Sequence, residues 1–158
     1  MNSIYKSGEA DESNYWNWNG FKIFWSVKGK DNTYPMILLH GFGASSKHWR
    51  NNSDYFAKKG YSVYSIDLIG FGNSAQPGIR EIKKLDNGVW CNQVSDFIKQ
   101  VIRPKTSKKI ILIGNSLGSL VALTCAVYLK NEILSVIASP LPDPIVIKKK
   151  ESKLNSIF

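Results

Sequence analysis

Gly114-Asn115-Ser116-Leu117-Gly118 follows a short, fully apolar run, Ile110-Ile111-Leu112-Ile113, and leads into an apolar helical pattern. Strand, sharp turn and helix is the context that turns a loose Gly-x-Ser-x-Gly motif into a nucleophile elbow. The residue types follow from the chemistry. A serine on a strained turn presents its hydroxyl above the sheet, and a side chain at either glycine would clash with neighbouring backbone. The helix that follows aims its N-terminal N–H groups and positive dipole end at the place where an oxyanion would form. The competing reading is an ordinary strand-to-helix turn in which Ser116 only caps the helix.

A second segment bears on the same chemistry. Pro35-Met36-Ile37-Leu38-Leu39 reads as a buried strand, and His40-Gly41-Phe42-Gly43-Ala44-Ser45 follows it. Acyl transfer needs two backbone N–H donors aimed at the developing oxyanion. One is assigned to Leu117, directly after the serine, and the other to Phe42, in the loop after the earlier strand. The glycine spacing matches neither Gly-x-Gly-x-x-Gly nor a Walker loop with its Lys-Ser/Thr, which sets a phosphate-binding loop aside. A third motif, Asp67-Leu68-Ile69-Gly70-Phe71-Gly72-Asn73-Ser74, comes directly after the apolar run Tyr61–Ile66.

On these three motifs the chain resembles the α/β-hydrolase superfamily over residues 16–143. Within it, Trp16-Asn17-Trp18-Asn19-Gly20, the His40–Ser45 loop with His48-Trp49-Arg50, and the elbow are similar to plant and cyanobacterial pheophytinase-like members. The resemblance implies that Ser116 is the nucleophile, that His40, Gly41, Gly43, Gly114, Asn115 and Gly118 shape the supporting loop and elbow, and that neither cofactor nor metal is needed. Related haloalkane dehalogenases and many epoxide hydrolases carry aspartate where Ser116 stands. The serine therefore favours ester or thioester hydrolysis over halide or epoxide chemistry, and the resemblance implies an acyl-enzyme route on a small-molecule or lipid-like ester such as a phytyl ester.

The resemblance stops short at the catalytic base. This superfamily orders its triad Ser…Asp/Glu…His along the chain. Only 42 residues follow Ser116; none is histidine, and the acids among them are Glu132, Asp143 and Glu151. The expectation is the N-terminal half of a hydrolase, without the helical cap, the acid and the histidine, and inactive alone, because a serine without its base is a poor nucleophile. The alternative is a non-catalytic remnant or partner-binding fragment that keeps only the sheet scaffold. Both histidines, His40 and His48, precede the serine. The resemblance gives His40 a structural or substrate-lining place and Asp67 a loop-anchoring one, while His48 belongs to the start of the next helix. Asp143 lies between Pro142 and Pro144 and has no histidine to orient.

The elements that must position these residues are legible as periodicity. Phe21-Lys22-Ile23-Phe24-Trp25-Ser26-Val27 alternates like an antiparallel strand, with Trp16 and Trp18 on a short strand before it. A helix is expected from Ser45 or Ser46, with Trp49 and Phe56 on one face, until Gly60 stops it. Trp90, Val94, Phe97, Ile98, Val101 and Ile102 define an amphipathic helix ending at Pro104. Leu117, Leu120, Val121, Leu123, Ala126 and Leu129 leave almost no polar face, so the elbow helix is expected to be the buried one, before a last strand Ile133–Ala138. Alternating strands and helices imply an α/β fold with a doubly wound, mostly parallel sheet and helices on both faces. The expected organisation is a polar, mobile N-terminus (residues 1–14), the hydrolase part (15–140) and a basic tail (141–158).

Composition is globular, with 43% hydrophobic and 12% aromatic residues. The net charge of +9 comes from 18 lysines against 3 arginines, scattered along the chain. Bidentate readout of phosphates and bases favours arginine, so nucleic acid is not expected as a partner. Lys148-Lys149-Lys150 reads as a solvated tail. Residues 117–129 are too short to span a bilayer, and the N-terminus lacks the apolar core of a signal peptide. Cys91 and Cys125 show no Cys-x-x-Cys spacing, which suits a reduced interior and a cytosolic or stromal location. Self-association through an exposed sheet edge is expected.

Overall fold

The computed structural model describes residues 12–140. Two strands, β1 (Glu12–Trp18) and β2 (Phe21–Lys28), form an antiparallel hairpin with Trp16 opposite Ile23. The turn between them places Asn19 and Gly20 at positive φ, the geometry that matches the twist of a two-residue hairpin. Backbone pairing in β1 begins at Glu12, inside the segment expected to be an N-terminal tail.

Next come β3 (Tyr34–Leu39), a 3-10 turn (Ser46–Trp49) running into α1 (Arg50–Lys58), and β4 (Tyr61–Ile66). After a long loop, α2 (Asn87–Phe97) passes into a π turn (Ile98–Ile102). Then β5 (Ile110–Gly114), α3 (Leu117–Tyr128) and β6 (Ile133–Ala138) complete the described chain. Asp86 caps α2 by accepting from the Gly88 and Val89 N–H groups.

The sheet runs β1-β2-β4-β3-β5-β6. The first two pairings are antiparallel, and β4, β3, β5 and β6 are mutually parallel. The strands that end at Leu39, Ile66 and Gly114 are thus neighbours, with β3 in the middle, and their carboxyl ends share one edge. Ligands of open α/β sheets bind along that edge.

Alternation along β3 separates two cores. Ile37 and Leu39 join Trp25, Tyr64, Phe97, Ile102 and Val121 beneath α2 and α3. Met36 and Leu38 join Val63, Ile113, Trp49 and Phe56 beneath α1 on the opposite face. Strands buried on both faces read as continuous apolar runs, which explains the uniform character of residues 35–39 and 110–113.

Two details differ from the periodicity. The second helix does not end as a regular α-helix: the Arg103 N–H reaches back five residues to the Ile98 carbonyl. The elbow helix is only half buried. Gly118, Ser119, Val121, Ala122 and Cys125 face the sheet and α2, whereas Leu123, Val127 and Tyr128 are exposed, Val127 by 71%. An all-apolar helix packed on one side leaves its other stripe in solvent, and apolarity alone does not reveal which stripe is covered.

Candidate active site

Ser116 stands between the end of β5 and the first residue of α3, with φ 51° and ψ −112°. A positive φ is uncommon in a residue with a Cβ and costs of order 1–3 kcal/mol when the surroundings enforce it. Ser116 is the cap residue of α3 by position, yet its side chain makes no capping hydrogen bond. The capping alternative therefore has no support in the geometry. The hydroxyl is not spent on capping the helix.

Close backbone approach enforces the turn. A Cβ on Gly114 would lie 2.2 Å from the Gly118 carbonyl oxygen, and one on Gly118 would lie 2.1 Å from the Leu39 carbonyl oxygen. No side chain fits at either place. The Asn115 N–H donates to the Leu39 carbonyl and the Ser116 N–H to the Pro140 carbonyl, each at 3.0 Å. The Asn115 side-chain amide donates to the Ser139 carbonyl at 2.9 Å. Ser119, fully buried, donates its hydroxyl to the Gly114 carbonyl and accepts the Ser139 N–H. Thus β3 holds the elbow from one side and the chain after β6 from the other.

The His40–Ser45 loop lies against this turn. A Cβ on Gly41 would be 2.9 Å from Asn115 Oδ1 and 3.3 Å from Ser116 Cβ. Phe42, next in the chain, is 78% exposed and meets Phe71 edge to face at 5.2 Å. Gly43 has φ 70°, and the Ala44 N–H closes the loop on the Gly41 carbonyl. Leu117 and Asn115 are half-buried at the same edge. The sequence-derived set Ser116, Phe42, Leu117, His40, Gly41, Gly43, Gly114, Asn115 and Gly118 is therefore brought to one edge of the sheet.

His40 is buried and engaged at both ring nitrogens. Nδ1 lies 2.7 Å from the Gly41 carbonyl, and Nε2 accepts the Leu68 N–H at 3.0 Å. Burial pushes its pKa below the ordinary 6.5, against the opposing pull of the Gly41 carbonyl and the Asp67 charge. A neutral, doubly tied imidazole has no nitrogen free to take a proton from Ser116. His48 is exposed on the 3-10 turn, its N–H bonded to the Ser45 carbonyl and its ring against Trp49.

Asp67 anchors loops. Its buried carboxylate accepts the Ser46 N–H at Oδ1 and the Asn73 N–H at Oδ2, tying the loop after β3 to the loop after β4. Gln93 escaped the sequence reading. Fully buried on α2, it accepts the Ile69 N–H and donates to the Asp67 carbonyl. Its signal was a polar residue inside the apolar stripe of Trp90, Val94 and Phe97. Asp143, Glu151 and the basic tail lie outside the described residues, as do residues 1–11.

Residues 34–150 match the alpha/beta hydrolase fold family. The chain belongs to that family. A pimeloyl-[acyl-carrier protein] methyl ester esterase of Aliivibrio fischeri is 27% identical over 121 residues, 75% of this chain and 41% of that protein. Epoxide hydrolase 4 of Mus musculus is 32% identical over 128 residues, 81% of this chain and 34% of that protein. Among solved structures, the thioesterase domain from the curacin biosynthetic pathway superposes with a TM-score of 0.76 at 21% identity, covering 93% of this chain and 53% of that one. The chain thus spans less than half the length of these two curated relatives. No helix among the described residues of this hydrolase-fold chain is long and apolar enough to cross a membrane.

Proposed function

We propose that Ser116 is the nucleophile of a carboxylic-ester hydrolase that works through an acyl-enzyme. The observation that carries this reading is the strained, uncapped serine at the carboxyl end of β5, between two glycines that admit no side chain. In the first step Ser116 Oγ attacks the ester carbonyl, its proton passes to a base, and the carbonyl oxygen becomes an oxyanion. The Phe42 and Leu117 N–H groups are the donors assigned to it. Collapse expels the alcohol, which takes the proton back, and water then releases the acid by the same route. Serine rather than aspartate at this position argues for ester chemistry over the epoxide opening named for some relatives. The apolar rim of Phe42 and Phe71 suits a hydrophobic ester, phytyl esters included.

This reading assigns the base to neither histidine of the chain. His40 is tied at both nitrogens and no histidine follows Ser116. The base and acid would come from polypeptide beyond these 158 residues, in keeping with the fraction of each relative that the chain spans. The second reading, a scaffold that binds a partner without chemistry, rests on the same missing histidine.

The test is covalent labelling. The 158-residue chain alone is expected to show negligible turnover of short p-nitrophenyl esters and no stoichiometric reaction of Ser116 with a fluorophosphonate. Joined to the C-terminal half of an esterase relative, it should gain both, and Ser116→Ala should lose them. A folded, complemented protein that remains unlabelled would favour the scaffold reading. Robust labelling of the chain alone would instead point to His40 or a second subunit as the base.

A further inference from the structure

Cys91 on α2 and Cys125 on α3 are distant in sequence and adjacent in space. Their sulfurs are 3.3 Å apart inside the packed interface of the two helices. Cys91 is 5% exposed and Cys125 fully buried. They are the two cysteines of the chain, so neither has an alternative intramolecular partner.

We propose that Cys91 and Cys125 constitute a reversible dithiol/disulfide site that, when oxidised, ties α3 to α2. A disulfide needs its sulfurs at about 2.05 Å, so the pair must close by roughly 1.3 Å. The two thiols are also unequal. The Cys125 thiol donates toward the Cys91 sulfur, which holds the Cys91 pKa below its ordinary value and pushes that of Cys125 up. Cys91, the one of the two that retains any exposure, is accordingly the attacking sulfur and Cys125 the resolving one.

The oxidant is a low-molecular-weight disulfide of the glutathione type. Cys91 gives up its proton to solvent, and its thiolate attacks one of the oxidant's sulfurs, forms a mixed disulfide and expels one thiolate, which solvent protonates, as it does the second. Cys125 then loses its proton to solvent and attacks the Cys91 sulfur, expelling the second thiolate. In total, two protein thiols are oxidised by two electrons and one small disulfide is reduced to two thiols. The bond would join the helix that follows Ser116 to the helix whose Gln93 and Trp90 hold the loop at Asp67 and Ile69.

The experiment equilibrates the 158-residue chain with glutathione redox buffers, quenches with acid, and counts thiols under denaturing conditions alongside intact mass and peptide mapping. The expected result is paired loss of both thiols, a mass about 2 Da lower and a Cys91–Cys125 linked peptide. The equilibrium should favour the disulfide at least about tenfold more in the folded chain than in guanidinium. Melting should rise by roughly 4 °C or more on oxidation. Cys125→Ser should trap a mixed disulfide at Cys91, and Cys91→Ser should leave Cys125 unmodified. Both thiols remaining free in the folded chain, under buffers that oxidise the unfolded one, would overturn the proposal. So would mixed or intermolecular disulfides as the sole products of the unsubstituted chain.

Discussion

The imidazole of His40 accepts the Leu68 N–H through Nε2 at 3.0 Å, so the first residue after β3 is bonded to the loop that follows β4. The other nitrogen donates to the Gly41 carbonyl, which fixes the Nδ1–H tautomer. His40 is a clasp between two loops, held neutral by its burial.

That clasp makes stability fall on the acid side of neutrality. The folded pKa of His40 lies below the unfolded value of 6.5, so the unfolded chain binds this proton first as pH drops. The contribution is complete above about pH 6.5 and is lost progressively below it, toward the folded pKa. Urea midpoints measured between pH 8 and pH 5 should decline, and His40→Ala should flatten that decline. The same substitution should cost about 2 kcal/mol or more at pH 8, because the buried Leu68 N–H loses its acceptor.

At the elbow, stability and chemistry should part company. Ser116→Gly relieves the positive φ and should stabilise the chain by about 1 kcal/mol. Ser116→Ala should be close to neutral, since the hydroxyl caps nothing. Gly118→Ala drives a methyl group into the Leu39 carbonyl and should cost about 3 kcal/mol or leave the chain unfolded. Chemical denaturation of the three variants checks the order. A Ser116→Gly chain less stable than the parent would remove strain from the account.

Asp67→Asn keeps the shape and removes one acceptor. The amide can satisfy only one of the Ser46 and Asn73 N–H groups and presents its own NH₂ to the other. A loss of roughly 1–3 kcal/mol is expected. Amide hydrogen exchange at Ser46 and Asn73 should quicken more than exchange in α2 or α3.

β6 forms an edge of the sheet among the described residues, with Leu134 and Ile137 60% and 50% exposed. Unpaired apolar edges template association. The 158-residue chain is expected to self-associate in light-scattering measurements, and Ile137→Lys should shift it toward monomer. A parent chain that stays monomeric at high concentration would show that this edge is covered.

The fold was legible because its signals are periodic and local. Residues 35–39 and 110–113 are apolar runs of the kind a doubly covered strand gives, and these two and the Ser-containing run 61–66 each end in a motif that needs a sheet edge. Ser116, Gly114 and Gly118 were legible because the elbow motif lies within five residues, although the carbonyl that excludes a side chain at Gly118 belongs to the distant Leu39. Ser119 was not, since a serine that satisfies distant backbone looks like any other until the elements pack, and Gln93 showed only as a polar residue inside an apolar stripe, with nothing to name its partners at Asp67 and Ile69. The exposed stripe of α3 was hidden for a related reason: Leu123 and Val127 have the same apolar character as Val121 and Cys125.

The central place of β3 also dictates when the elbow can be assembled. Met36 pairs with Ile111, so β5 reaches its neighbour only after β4, the long loop and α2 have been synthesised. Parallel pairing across so long a span carries its loop-closure entropy before any contact compensates for it, which makes it slow. The β1–β2 hairpin and its antiparallel junction with β4 need far less of the chain. A nascent polypeptide that has emerged to about residue 105 therefore exposes one apolar edge of β3 with nothing to fill it. During translation this is the stretch on which a holdase chaperone would act, and Ser116 acquires its strained geometry only once that edge closes.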